Sequence, residues 1–592
     1  MYPVTEQWSK DNDLMLRGYS YVRIIFGVTD PDALNLSNPV DDGHLSYSDV
    51  ESVDLGTSVP STYQTLERNR FVLDGKNPLP SDTNPIYQGY CGNLISDNAC
   101  SWSVQPKITI TFDDYVQFPG FTFQFDESKD EYPSEMQVIA YHDTEVVLNK
   151  TIQPDKAFYS YGEQIPICNK VEFIFIKSNI PHRRARLTAL TYGLINRLET
   201  EDIVSCSSTK EIDLLSSKIP KQEFEFTLVD TQQKYDPENP DSLWEYLESR
   251  QPVSYYYGYQ LSNGGIEWIP WGVSYSTGDF EVTKQGRVSN VSIKCVGMAD
   301  HLNTIYDEGT YSASGRSLYD LANDVMNFAG FANTIEVDEE LKNITTHKPL
   351  PKQSVNKCLQ IIANAGRCIM SHSRGGNITI LRENDVSTGF KMDFSRMKDT
   401  PQTTKIAPLK NLTMEYSVLT VESELSDAVS ETEITNAVNQ EFTFTHSAYT
   451  NLTATATGCT IVGTPKYYAY KTVVVLNGTG KITVKGNKLV EVKQEISKKY
   501  SDVGEDLSGV KNELIDSEDV AKSYADWTAE VTLRRNTYSV SDRGYPEVDV
   551  GDEVTFTSNF KNEVPTTLVQ QKLSFNGAIS GECQYVIGKE DI

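Results

Sequence analysis

The chain has 592 residues, 39% hydrophobic and 10% aromatic, and a formal net charge of −29. That length is too great for a single core and points to about three to five domains. The acidic balance excludes a direct grip on nucleic acid or on an anionic membrane, because phosphate binding needs clustered Lys and Arg; it fits either simple solubility or an acidic channel wall that repels passing DNA.

Tyrosine is frequent, at 33 residues, and Tyr, Val and Thr favour strands, so a mainly β class is expected. Nine cysteines are scattered without C-x-x-C spacing. This argues against a disulfide framework or a zinc site; Cys91 and Cys100 could pair across a loop, and buried thiols are the simpler reading. Met1 to Glu6 carry no charged or apolar leader, and no apolar run reaches membrane-spanning length. The expectation is assembly in a cytoplasm with no membrane anchor.

Residues 1–197 read as a β-rich unit. Ile108, Ile110 and Phe112 alternate, and Phe121, Phe123 and Phe125 do so again after the Pro119-Gly120 turn. Val138 to Tyr141 forms another strand. Val171 to Ile176 is nearly continuous apolar sequence and predicts a central strand buried on both faces. An Arg-rich alternating stretch, from Arg183 to Tyr192, closes the unit. The series resembles a discoidin-like, galactose-binding jelly roll.

Residues 198–305 form a second β unit. Glu223 to Leu228 alternates polar and apolar residues, Tyr235 to Pro240 is a turn-rich break, and Leu243, Tyr246 and Leu247 suggest a short helix. Strands return at Trp268 to Val273 and at Val288 to Ala299. In residues 306–400, Ser317-x-x-Asp320 is a helix-capping signature. Leu318, Leu321, Ala322, Val325 and Ala329 then share a face, with Gly330 as the stop. A second helix starts at Ser354, with Val355, Cys358, Leu359, Ile362 and Ala363 on one face, and ends at Gly366. A hairpin follows, with Cys368 to Met370 and Ile378 to Ile380 flanking the Gly375-Gly376 turn.

Residues 401–592 are again β-rich. The stretch from about 420 to 500 is rich in Thr and Val and reads as a β insertion. A helix from about Ser517 to Arg535 places Val520, Tyr524, Trp527 and Val531 on one face. The last fifty residues are the most informative: Arg543-Gly544-Tyr545-Pro546-Glu547, then alternating Val548, Val550, Val554 and Phe556, then Asn576-Gly577-Ala578-Ile579-Ser580-Gly581. Gly544 and Gly551 permit tight turns, and Pro546 favours an extended entry.

This closing segment resembles the end of tail-tip and baseplate hub proteins of phages of Gram-positive bacteria. The second unit resembles the first barrel of the same family, with Phe224, Phe226, Asp236, Pro237, Asn239, Pro240, Trp268, Gly272 and Asp300 in matching order. The resemblance implies a fold that is mainly β with a small α+β insertion. The parts would be a jelly roll over 1–197, a first hub barrel over 198–305, an α+β domain over 306–400 and a second hub barrel over 401–592. It implies a homotrimer in which two similar barrels per chain form a ring of six around a channel. Its location would be the virion, at the tail tip or baseplate. Its partners would be the tail tube or distal tail protein, the tape-measure protein and receptor-binding or fibre proteins. It implies no catalytic part and no cofactor, since lytic domains of such proteins follow the hub and this sequence ends at Ile592.

Motifs for chemistry are scarce. There is no HExxH, GxSxG or EF-hand loop. Gly478-Thr479-Gly480-Lys481 lacks the Ser or Thr and the spacing of a phosphate loop and reads as a β-turn. The seven histidines are single, with no pair at ligand spacing, so no metal site is expected. Carboxylate pairs for glycoside hydrolysis cannot be picked out of so acidic a sequence. The candidate ligand site is carbohydrate-binding: Tyr87, Tyr90 and Trp102 cluster around a loop, with Tyr115 just beyond. Exposed aromatic faces stack on sugars, and loops at one end of a jelly roll suit this; the same aromatics would also serve as core or as an intersubunit contact. The alternative function is therefore an adhesin or tail fibre that recognises a host cell-wall glycan.

Overall fold

The computed structural model describes residues 1–588 apart from most of 30–35 and 42–86 and short gaps at 15, 128, 240–241, 245–246, 286–287, 332–333, 384–386, 559–560 and 562. It is mainly β with a small helical insertion. Two compact units are present. The N-terminal unit comprises Ile24–Leu198 and Gln232–Val253; the main unit comprises Met1–Arg23, Glu199–Thr231 and Ser254–Ile592. Residues 1–23, read above with the N-terminal unit, pack instead in the main unit.

Among the described residues the N-terminal unit has two larger sheets and two two-stranded ones, one of which pairs Arg184–Leu187 with Tyr90–Ile95. The first larger sheet has the order Ser37–Asp41, Lys107–Phe118, Ile165–Ser178, Pro133–His142, Glu145–Ile152. The second runs Phe158–Tyr161, Phe121–Gln124, Ala189–Leu198 and then the strand from Ile24. Phe121 and Phe123 of the second sheet meet Phe173 of the first edge-on, with ring centroids 4.9 and 5.2 Å apart, the geometry aromatic pairs prefer. The strand Ile165–Ser178 is central, but Val171, Phe173 and Phe175 are buried while Glu172, Ile174 and Ile176 are half-buried. Burial on both faces is thus corrected to one face. The outer face carries charge: Glu172 accepts from Tyr141 and pairs with Lys107 and Lys170.

In the main unit we label helix α1 (Glu6–Asn12) and strands β1 (Ile203–Glu211), β2 (Lys221–Asp230), β3 (Pro252–Gln260), β4 (Ile266–Gln285) and β5 (Val288–Val296). After helices α2 (Leu318–Phe328) and α3 (Val355–Ala365) come β6 (Gln402–Lys405), β7 (Leu409–Thr445), β8 (Tyr449–Tyr467), β9 (Lys471–Lys499) and β10 (Glu505–Lys511). Helix α4 (Glu518–Leu533) leads to β11 (Asn536–Asp542), β12 (Glu553–Phe556), β13 (Val564–Phe575) and β14 (Ile579–Ile587). The principal sheet runs β3-β4-β5-β2-β1-β13-β14-β11-β6, with β12 also on β13. Strands from before and after the helices therefore share one sheet, joined where β1 pairs antiparallel with β13.

The helices match their sequence signals. The Ser317 hydroxyl accepts from the Asp320 N–H at the start of α2, and Gly366 ends α3. The hairpin Ile369–His372 with Ile378–Leu381 packs on both helices through Met370, Ile378 and Ile380. In α4 the buried face is Ala521, Tyr524, Ala525, Thr528 and Ala529, so only Tyr524 of the expected stripe lies on it. Small residues let the helix lie close on Leu409, Leu412 and Met414, while Val520 and Trp527 pack at the margins. The short helix expected at Leu243, Tyr246 and Leu247 falls partly outside the described residues.

Residues 409–511 form an arm of unusually long strands. β9 is central, with β7 and β8 on either side. The strands double back. Tyr449 donates its N–H to Ala469, just before β9 begins, yet Tyr449 also pairs with Lys488 far along β9. The bend lies where the ladders lose register, near Ile434–Gln440, Gly458 and Gly478. Ile434, Ala437, Cys459, Val474, Leu476 and Ile482 fill the space between the folded halves. Thr445 and Lys471 thereby return to the base, where Lys471 meets Asp307 at 2.5 Å and Ala469 donates to Gly309. Gly478 to Lys481 is no turn between strands but part of β9 at this bend. A Cβ on Gly480 would lie 2.3 Å from the Cys459 nitrogen. Gly480→Val is accordingly expected to unfold the arm alone, read as protease cleavage within 409–511 with the rest of the chain intact; an uncut arm would refute the close approach.

Candidate functional site

Of the four aromatics singled out for sugar contact, two are core. Tyr90 is 2% exposed and stacks on Phe175 at 5.6 Å. Trp102 is 6% exposed, and its indole N–H donates to the Arg183 carbonyl at 3.0 Å. The void beside it measures about 10 Å³, room for no more than a water. The expected cluster of exposed faces is therefore corrected for Tyr90 and Trp102: the sandwich needs their bulk as filling. Tyr87 sits in a short strand, and its side chain lies outside the described residues.

Beside Trp102, the Arg-rich strand serves a different purpose. Arg183 pairs with Glu131 at 2.5 Å, and Arg186 bridges Glu131 and Glu67. All four are buried. Charges taken out of water demand partners, and the Arg184 N–H adds a bond to Glu67. The arginines were visible in the sequence; their carboxylates, far off in the chain, were not.

Among those of the four whose side chains are described, only Tyr115 stays open, at 46% exposure. Its ring stacks on His142 with centroids 4.6 Å apart, and its hydroxyl donates to Asp143 at 2.8 Å. That bond raises the phenol pKa and keeps the proton on it. Asp143 also accepts from the Asn169 amide at 3.0 Å. An aromatic face flanked by a carboxylate and an amide can stack on a sugar ring and bond its hydroxyls. Neither His142 nor Asn169 was marked by the sequence reading, because they reach Tyr115 only through strand pairing.

In the main unit the closing segment builds two buried charge sites. Lys210 of β1 meets Asp549 at 3.0 Å, and Arg374 meets the same carboxylate at 3.0 Å while donating to the Pro270 and Val548 carbonyls. Burial works against ionised Asp549, but Lys210 and Arg374 outweigh it and hold its pKa below the usual value. Nearby, Arg17 donates to the Arg543 and Gly544 carbonyls, both at 3.0 Å, and lies 4.4 Å over the Tyr545 ring. Gly544 has φ +80°, and a Cβ there would strike Ile579 at 2.4 Å, so the Arg-Gly-Tyr-Pro-Glu turn needs its glycine. Burial raises the pKa of both Asp542 and Glu547, with Arg17 opposing. All nine cysteines are free thiols, so Cys91 and Cys100 are not bridged. Among the described residues no cluster of three or more His, Cys, Asp or Glu could hold a metal ion.

No family model matches the sequence, and no curated protein matches it. Among solved structures the chain is similar to a 43 kDa tail protein of prophage MuSo2 from Shewanella oneidensis, with 10% identity and a TM-score of 0.39 over 67% of this chain and 96% of that one. A tail protein from Neisseria meningitidis gives 10% identity and a TM-score of 0.39 over 67% and 94%. Prophage tail protein gp18 from Listeria monocytogenes gives 8% identity and a TM-score of 0.35 over 67% and 92%.

Two outcomes follow from these sites. Arg186→Met strands buried carboxylate charge and should cost the N-terminal unit about 3–5 kcal/mol, measured by denaturant unfolding; a loss below about 1 kcal/mol would contradict the burial argument. Glu547 has its pKa raised by folding, so the folded state binds the proton more tightly. Its ionisation costs stability as pH rises from the ordinary carboxylate range through the raised value. Glu547→Gln should therefore hold or raise the melting temperature at neutral pH and reduce the gain seen on mild acidification. A clear drop at neutral pH would show that the carboxylate is needed ionised.

Proposed function

We propose that this chain is a structural component of the tail tip or baseplate of a phage or phage-tail-like particle. Three copies form a hub that caps the tail tube, anchors other baseplate or receptor-binding proteins and gates the passage of DNA. The role is mechanical, with no catalysis and no cofactor. The observation that carries this reading is the join of β1 to β13. On one side of it stand β2 and β5, on the other β14 and β11, so two β segments separated in sequence by the helical insertion extend outward from a shared seam. Two such segments per chain and three chains give six around an axis. Closed rings of this kind rest on complementary neighbouring surfaces and large interfaces, roughly 2,000 Å² or more. The residues named for the hub resemblance support the same reading: Phe224 stacks on Tyr255 at 3.8 Å in the first segment, and Gly544 makes its turn in the second.

A second reading applies to the N-terminal unit and is favoured by Tyr115: it contacts a cell-wall glycan, with Tyr115 and His142 as the stacking face and Asp143 and Asn169 as hydroxyl partners. The two roles are compatible in one chain.

Sedimentation and electron microscopy of the purified chain test the hub; a trimer with a central hole is expected, and a monodisperse monomer at micromolar concentration argues against it. For the glycan, Tyr115→Ala should weaken binding to host wall polysaccharide at least tenfold, by about 1.4 kcal/mol, with the unit still folded. Equal binding by the variant, or none by the parent, removes that reading.

A further inference from the structure

The outer part of the arm, its head, sits on a narrow neck. Over 417–420 paired with 490–493, β7 and β9 form a two-stranded ribbon. β10 leaves β7 at Glu415, and β8 joins β9 only from Lys488. Val418 and Val492, directly opposite each other in this ribbon, are both exposed. Just beyond, between Val421 and Leu425, the ladder loses register. A two-stranded ribbon is weak by itself, and a break in register is where a strand bends.

The head has its own core and shares none with the helical insertion. Ile434, Ala437, Cys459, Val474, Leu476 and Ile482 pack together, while the core around α2 and α3 holds no residue of 409–511. The bonds that join the head and neck to the insertion are polar. Lys471 meets Asp307 at 2.5 Å and Glu308 at 3.5 Å, and the Ala469 N–H donates to the Gly309 carbonyl at 2.8 Å. At the neck, Lys348 donates to Ser417 at 2.7 Å, and Ser417 donates to Glu491 at 2.9 Å. Lys348 is a poor anchor. Its side chain is 5% exposed, yet the carboxylate it pairs with, Glu491, is 4.0 Å away and 55% exposed. Burial lowers the Lys348 pKa against the pull of Glu491, Asp516 and Glu513. Its ammonium therefore regains water when it lets go, which offsets much of the lost attraction.

We propose that the head is a hinged body, held against the helical insertion by this polar latch and swinging outward on the neck with its own fold intact. Parts that open as units have few apolar contacts with their surroundings, and a few residues at the end of an element absorb the turn. The motion belongs to one chain and requires neither the trimer nor the glycan site.

The test uses the full-length chain with spin labels at Val438→Cys on the head and Lys352→Cys on the insertion, both exposed positions. Cys100, the only native cysteine that is not buried, is replaced by Ser, and labelled chain is diluted with unlabelled. Double electron–electron resonance reads the distance between the labels. Hydrogen exchange at Val474, Leu476 and Ile482 reports whether the head stays folded. Two variants break the latch from opposite sides: Lys471→Glu, and Asp307→Asn with Glu308→Gln, which leaves the head untouched. Each should add a second, longer distance and speed exchange of the Ala469 N–H at least about tenfold, with protection inside the head unchanged. A single unchanged distance in both variants overturns the hinge. Loss of protection at Val474, Leu476 and Ile482 in the Asn–Gln variant also overturns it, because the contact would then be part of the head's own fold.

Discussion

The seam between β1 and β13 is the constraint on which the main unit depends. Backbone pairing from Cys206 with Phe575 to Glu211 with Gln570 ties the beginning of the unit to its end. The Ser208 hydroxyl meets Tyr257 at 2.7 Å and Leu573 at 3.3 Å, pinning a third strand to the join. Lys210, two residues on, carries the buried charge that meets Asp549. Everything between must leave this seam and come back, so the helices and the arm are long excursions from one sheet. Such distant pairings are slow to find, and the buried Lys210–Asp549–Arg374 group fixes the register once they are found.

The two β segments are not copies residue by residue. The first is lined by Phe224, Phe226, Tyr255, Tyr257 and Trp271, and the second by Val540, Val554, Phe556, Leu568 and Tyr585. What they share is one antiparallel pair beside the seam, β1 with β2 and β13 with β14, beyond which their strand orders differ. Aromatic bulk on one side is answered by aliphatic and mixed packing on the other.

Much of this was legible from local pattern. Ser317 with Asp320, and the run Val355 to Gly366, specified helices because capping and periodicity act over a few residues. The Phe-rich alternations of the N-terminal unit marked real strands for the same reason. What failed did so where the deciding partner is remote. Tyr90 and Trp102 look the same in sequence whether they face a ligand or a core, and only the opposing sheet decides. Val171 to Ile176 reads as doubly buried until Lys107 and Lys170 arrive to pair with Glu172. The doubling back of the arm left only glycines as its trace, and Gly478 with Gly480 suggested a simple turn. Nothing local could join Tyr115 to His142 and Asn169.

The arm enters and leaves the main unit at one place: Asn411 pairs with Lys499, and Leu409 with Glu505. A segment whose two ends are neighbours imposes little on the frame that carries it, because changing its length alters loop closure only weakly. The arm is thus an exchangeable cassette. A lineage could trade its outer part for a shorter or differently charged one while the seam beneath remains as it is.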